Sequence, residues 1–295
     1  MNALDLKVLY DYSLGDKSII LMDKVKRIEV NGVSLFCRII GQGYPFVMMH
    51  GGPGSDHVSL LSLKDLSDSF TLIFYDHRCN GRSTGPDVAT MNWDNLTADA
   101  ETLRKKLGIE TWGMIGHSFG GMVALEYALR YPKSLSHLIL LSSGASAFWV
   151  QESVPELLTR RGYRKKTVEA SRRYFAGKVN PKELFRTKLQ IMPAYYYRFN
   201  PFKMIFKRRS KGNSQAFIYG FSTLLKGWNL MDRLHEIQTP TLVLAGRHDF
   251  IFPPEHQALI ADRLPNARLE IIEKAGHSVS ERPKEIIRLI KNFIT

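Results

Sequence analysis

Ser118 stands in GHSFGG, residues 116–121, two positions after Gly116 and two before Gly120, with Gly121 following. A serine hydroxyl attacks well only when a base takes its proton and an acid orients that base. Two later segments offer such partners: AGRHDF carries Asp249 and KAGHS carries His277. A glycine-rich turn would explain GHSFGG alone, and a helix cap would explain Asp249 alone. Taken together, a serine, an acid and a histidine in that order, each at the end of an apolar run, match an acyl-transfer triad. Ser118 is then the nucleophile, Asp249 the orienting acid and His277 the base. Two other histidines compete less well: His248 adjoins Asp249 in the chain and His256 falls inside an expected helix.

The tetrahedral intermediate of acyl transfer carries an oxyanion that needs backbone donors. The N–H of Phe119, at a helix start, is one candidate. HGGPG, residues 50–54, follows the apolar run FVMMH, and its glycines let backbone approach a ligand closely. Gly52 is the second expected donor.

These residues require an elbow. TWGMIG before Ser118 reads as a strand and GMVALEYALRYP after it as a helix, so any Cβ at Gly116 or Gly120 would collide within the turn. VKRIEVNGVSLFCRIIG, residues 25–41, reads as a hairpin turning at Asn31-Gly32. PFVMMH, TLIFYDH, TWGMIG, SHLILLS, PTLVLAG and ARLEIIEKA read as strands buried on both faces. Helical patterns fall at 91–108, after Ser118, at 253–264 and at 282–294. This alternation predicts an α/β fold with a mostly parallel sheet and helices on both faces.

The strand runs pause between Leu141 and Pro240. Residues 146–234 are therefore expected to form a mostly helical cap, with 1–145 and 235–295 as the core and 1–24 as an N-terminal arm. The net charge of +13 concentrates there: residues 146–230 hold 18 Lys or Arg against four acids, a balance of +14. Lys207, Arg208, Arg209 and Lys211, beside Phe202 and Phe206, read as a solvated face, with contact to an anionic surface as the alternative. No nucleic-acid partner is expected. Trp149, Tyr219, Trp228 and Phe250 are candidates to line an apolar acyl pocket, although aromatics in a cap also build its own core.

At 295 residues and 44% hydrophobic, the chain can bury a large core. The first 24 residues show no apolar signal-peptide core, and Cys37 and Cys79 are not spaced as a zinc or redox motif. A cytoplasmic protein with free thiols, no metal and no cofactor is expected.

HGGPG at 50–54, YDHRCNGRS at 75–83, GHSFGG at 116–121, GRHD at 246–249 and AGHS at 275–278 together resemble the α/β-hydrolase superfamily. Within it, they are similar to the proline iminopeptidase-like serine hydrolases, over residues 25–145 and 235–295. The resemblance implies the same triad and oxyanion donors, with His50, Gly51, Asp76 and Arg78 supporting the site. Two departures stand out. Relatives carry D-Q-R-G where this chain has Asp76, His77, Arg78 and Cys79. Aminopeptidases of the group hold the substrate amine with glutamates, one of them in some members directly after the catalytic aspartate. Here that residue is Phe250, and residues 213–229 contain no acid. An ammonium buried without a carboxylate loses solvation, with Glu152 and Glu156 as its remaining candidate partners. The first expectation is therefore a carboxylesterase-like enzyme on small neutral esters or other acyl substrates, in which Phe250→Glu would shift preference towards free proline. A proline iminopeptidase-type aminopeptidase acting on short peptides is the alternative, and a non-enzymatic ligand-binding hydrolase fold the third reading.

Overall fold

The computed structural model describes residues 23–202 and 210–294. Most of the expected arm, and Lys207, Arg208 and Arg209 with Phe206, lie outside them. The hairpin forms as its turn chemistry requires. Asn31 (φ +42°) and Gly32 (φ +75°) both take the left-handed conformation of a type I′ turn, joining β1 (Asp23–Val30) to β2 (Val33–Ile40).

Six further strands complete the sheet: β3 (Tyr44–Met49), β4 (Phe70–Tyr75), β5 (Trp112–His117), β6 (Leu135–Leu141), β7 (Thr241–Gly246) and β8 (Ala267–Ile272). Their order is β1-β2-β4-β3-β5-β6-β7-β8. β1–β2 and β2–β4 pair antiparallel, and every later pair is parallel. This is the mostly parallel sheet that the alternating runs predicted, in the arrangement that the resemblance to the α/β-hydrolase superfamily implied. Alternate side chains of each strand enter opposite layers: Val47, Met49 and Val243 join one core, and Phe46, Met48, Leu242 and Leu244 the other. Such strands need apolar residues at every position, which is why they read as unbroken runs. β8 departs from that expectation. It lies at the sheet edge, paired only with β7, and is half-exposed along most of its length.

The first layer packs α1 (Trp93–Lys106) and α2 (Phe119–Arg130) on the sheet through Leu96, Ala100, Leu103, Met122 and Val123. Between β6 and β7 come α3 (Val154–Arg160), α4 (Lys165–Phe175), α5 (Leu184–Ile191) and α6 (Ser214–Tyr219), none of which joins the sheet. The two ends of this segment meet: Ala147 N–H donates to Trp228 O (2.9 Å) and Leu230 N–H to Ala145 O (2.7 Å). α7 (Pro254–Arg263) and α8 (Pro283–Ile294) follow. The second layer holds α8 together with a 3₁₀ segment, His57–Asp68, that buries Leu60, Leu63 and Leu66. Hydrophobic periodicity at 3.6 residues does not reveal that segment. Cys37 and Cys79 are buried free thiols, and no helix among the described residues is long and apolar enough to cross a membrane.

Candidate active site

Ser118 sits half-buried at the junction of β5 and α2 with φ +53° and ψ −120°. A non-glycine residue held there stores about 1–3 kcal/mol of backbone strain. The surroundings enforce it. A Cβ on Gly120 would overlap the Met49 carbonyl, and one on Gly116 would lie 2.6 Å from the Gly120 carbonyl oxygen. Ser118 N–H donates to Leu141 O (3.0 Å), and Ser143 Oγ donates to Ser118 O (2.8 Å), strapping the elbow to β6 and the loop after it.

Asp249 is fully buried just past β7. Its Oδ1 accepts from the N–H groups of Ile251 (2.8 Å) and Phe252 (3.0 Å), which leaves Oδ2 for His277 Nδ1 at 2.9 Å. With Nδ1–H donating to the carboxylate, Nε2 of His277 is the nitrogen that can accept a proton. His277 is joined to the elbow through the neighbour of Ser118: His117 Nε2 donates to His277 O (3.0 Å), with the two rings 5.0 Å apart. Burial, with the nearby His277 adding to it, pushes His117 down to about 3, so it stays neutral.

The HGGPG loop lies against the elbow. A Cβ on Gly51 would stand 3.1 Å from the Ser118 Cβ and 2.6 Å from His117 Nδ1, so only glycine fits. His50 Nε2 accepts from His77 N–H (3.1 Å), which leaves Nδ1–H to donate to Gly51 O (3.1 Å). Gly52 takes φ +67°. Gly54 is gripped on both sides, its N–H donating to Asn80 Oδ1 (2.5 Å) and its carbonyl accepting from Asn213 N–H (2.8 Å).

Asp76 and Arg78 act as struts for these loops. Asp76 accepts from His57 N–H (2.8 Å), His57 Nδ1 (2.7 Å) and Arg82 N–H (2.8 Å). Burial alone would raise its pKa, but these hydrogen bonds and the nearby His50 outweigh burial and lower it. Arg78 grips Asp99 of α1 with two bonds, 2.6 and 2.7 Å, and Asp99 also accepts from Asn31 of the hairpin turn. Both departures from D-Q-R-G are accommodated. Cys79 adopts φ +62°, a conformation natural to glycine. His77 is buried among His50, Tyr75 and Phe119 with both ring nitrogens unpartnered, and burial holds it well below the usual imidazole range.

The four expected pocket aromatics separate. Phe250 is fully buried against Phe175 and Tyr195. Trp228 stacks on Trp93 at 5.0 Å and donates to Glu126 Oε1 (2.6 Å), packing segment 146–234 onto α2. Trp149 and Tyr219 are half-buried, Trp149 against His256 and Tyr219 with its hydroxyl on Ala89 O (3.4 Å). Glu152 and Glu156 are exposed, and Glu156 pairs with Arg160.

Three further residues gather at the site. Tyr195 places its ring 5.6 Å from that of His277. Arg161 donates to the carbonyls of His248 (2.8 Å) and Asp249 (3.0 Å). Glu281 accepts from Gly276 N–H (2.7 Å) and Tyr197 N–H (3.0 Å), holding the histidine loop to segment 146–234. Distance along the chain from the motifs hides Arg161, whereas Glu281 stands three residues after AGHS. Among the described residues, no group of three or more His, Cys, Asp or Glu side chains is arranged to hold a metal ion.

The alpha/beta hydrolase fold family matches residues 44–282. A proline iminopeptidase of Saccharolobus solfataricus is 30% identical, over 97% of this chain and 96% of that protein. Among solved structures, an alpha/beta fold family hydrolase from Bacillus anthracis superposes with a TM-score of 0.77 at 19% identity, covering 92% of this chain and 99% of that one. A proline iminopeptidase from Mycobacterium smegmatis superposes with a TM-score of 0.73 at 22% identity, covering 92% and 97%.

Proposed function

The chain belongs to the α/β-hydrolase family and is a proline iminopeptidase-like hydrolase, and on that premise we propose that it is a Ser-His-Asp aminopeptidase that releases N-terminal residues from short peptides. Ser118 Oγ attacks the scissile carbonyl carbon while His277 Nε2 takes its proton. The N–H groups of Gly52 and Phe119 hold the oxyanion. The protonated His277, kept in place by Asp249, gives its proton to the leaving amine as the C–N bond breaks. Water then attacks the acyl-enzyme with His277 again as base, which frees the acid and regenerates Ser118. Residues 146–234 act as a cap over this centre, tied to the core through Arg161, Glu281 and Asn213.

The observation that carries the substrate class is the likeness to the Saccharolobus proline iminopeptidase along 97% of this chain. It turns the expectation away from the simple ester first read from the residues. Esters remain a second reading on one specific ground: Phe250 follows Asp249, residues 213–229 contain no acid, and Glu152 and Glu156 face solvent.

Matched esters of free and N-acetylated proline distinguish the two. Cleavage of the free-amine ester about tenfold faster or more, the worth of roughly 1.4 kcal/mol of amine recognition, supports the aminopeptidase. Equal rates, or faster cleavage of the acetylated ester, give the ester reading its place.

A further inference from the structure

We propose that the outward face of α5 docks onto an anionic lipid bilayer, a role separate from the chemistry at Ser118. α5 buries Thr187 and Ile191 and turns Phe185 and Leu189 to solvent, with 70% and 47% of their surface exposed. Four residues apart, these two side chains share one side of the helix. Arg186 and Lys188 lie exposed beside them, and Lys182 is exposed just before the helix. Phe202, further along the same segment, is 74% exposed.

Charge identifies the partner. At α5 three exposed bases, Lys182, Arg186 and Lys188, stand against one exposed acid, Glu183, and the surrounding residues 146–230 carry a balance of +14, so an acidic surface is the complement of this face. A nucleic acid would use the basic groups and leave an exposed aromatic and leucine on one helix side without a role. A bilayer containing anionic lipids uses both. Phe185 and Leu189 enter the headgroup and acyl boundary, while the basic side chains reach the phosphates on extended stems. α5 leads through residues 192–195 to Tyr195, whose ring faces His277, so the docked face and the catalytic centre share one stretch of chain.

Co-sedimentation of the full chain with vesicles tests this. Expected is binding to phosphatidylcholine vesicles containing about one-third phosphatidylglycerol, weakened by salt, and little binding to phosphatidylcholine alone. The double variant Phe185→Ser, Leu189→Ser should lose at least about tenfold of that binding while keeping the melting temperature and the hydrolysis of a soluble ester. Hydrogen exchange on the unmodified protein supplies a second readout: amides of residues 184–191 should slow when phosphatidylglycerol vesicles are added. Absence of binding at low salt, binding unchanged in the double variant, unaltered exchange over 184–191, or tighter binding to duplex RNA than to vesicles would overturn the proposal.

Discussion

Asn213 donates its backbone N–H to the carbonyl of Gly54 across 2.8 Å, tying the segment between β6 and β7 to the glycine loop that lies on the elbow. The same residue caps α6, its Oδ1 accepting from Gln215 N–H (3.0 Å) and Ala216 N–H (3.2 Å), while Nδ2 donates to Cys79 O (2.8 Å). Helix cap, glycine loop and Asp76 loop therefore converge on one residue, the glycine loop through its backbone N–H and the other two through its side chain.

Asn213→Asp separates positioning from stability. Aspartate keeps the cap oxygen but replaces the donor to Cys79 with an acceptor. A lost hydrogen bond of about 1–1.5 kcal/mol corresponds to roughly a tenfold fall in kcat if Gly52 is an oxyanion donor, with KM within about twofold and Tm lower by only about 2–4 °C. Asn213→Ala, which also removes the cap, should lower kcat alike and Tm further. A normal kcat in the aspartate variant would show that the bond to Cys79 does not set the glycine loop through Asn80, whose Oδ1 accepts from Gly54 N–H.

Ser118 predicts opposite effects on activity and stability. Ser118→Ala and Ser118→Gly should each reduce turnover by on the order of a million-fold. Only the glycine variant relieves the strain of φ +53°, offset by about 0.5–1 kcal/mol of unfolded-chain entropy. A gain near 1 kcal/mol raises Tm by about 2–4 °C, whereas Ser118→Ala should leave it unchanged. Calorimetry of the two inactive variants decides whether strain is stored at the elbow.

The proposed triad residues could be picked out of the chain because each follows a strand and is flagged by glycine, a signal confined to a few adjacent residues. The hairpin was legible for the same reason, since Asn31-Gly32 encodes its own turn. Contacts spanning the chain were not. His57 on Asp76, Arg161 on the acid loop and Trp228 on Glu126 join segments 19, 87 and 102 residues apart. Nothing local in a tryptophan or arginine states which surface it will meet. Aromatics fail most clearly: Phe250 and Trp149 read alike in the chain, yet one is sealed in packing and the other is half-buried.

Acid should destabilise the protein through two buried histidines. Burial, partly opposed by Asp249, lowers His256 to about 3, and burial lowers His117 to about 3. Unfolded, each titrates near pH 6.5. Below that pH the unfolded chain takes up protons that the folded chain refuses, so stability is complete above about pH 6.5 and falls by roughly 1.4 kcal/mol per unit per histidine until about pH 3. His256 has both nitrogens unpartnered and stacks on Phe252, so phenylalanine suits its site. Between pH 7 and pH 5, His256→Phe should lose about 2 kcal/mol less than the unmodified protein, close to 4 °C in Tm. Parallel Tm–pH curves would mean that His256 is protonated when folded.

Phe250→Glu, which from the chain alone was expected to create an amine site beside Asp249, should instead damage the fold. Phe250 has no exposed surface and meets Phe175 at 6.2 Å and Tyr195 at 5.1 Å between ring centroids. A carboxylate there is buried among rings that offer it no cation. It must either stay charged without solvation or be protonated, and the lost aromatic packing adds about 3–5 kcal/mol. Tm should fall by about 10 °C, with the free-amine and acetylated proline esters losing activity alike. Phe250→Leu keeps the site apolar and should lose less than half as much. If Phe250→Glu melts normally and favours the free-amine ester, the substrate reaches position 250 and that carboxylate is solvated within the pocket.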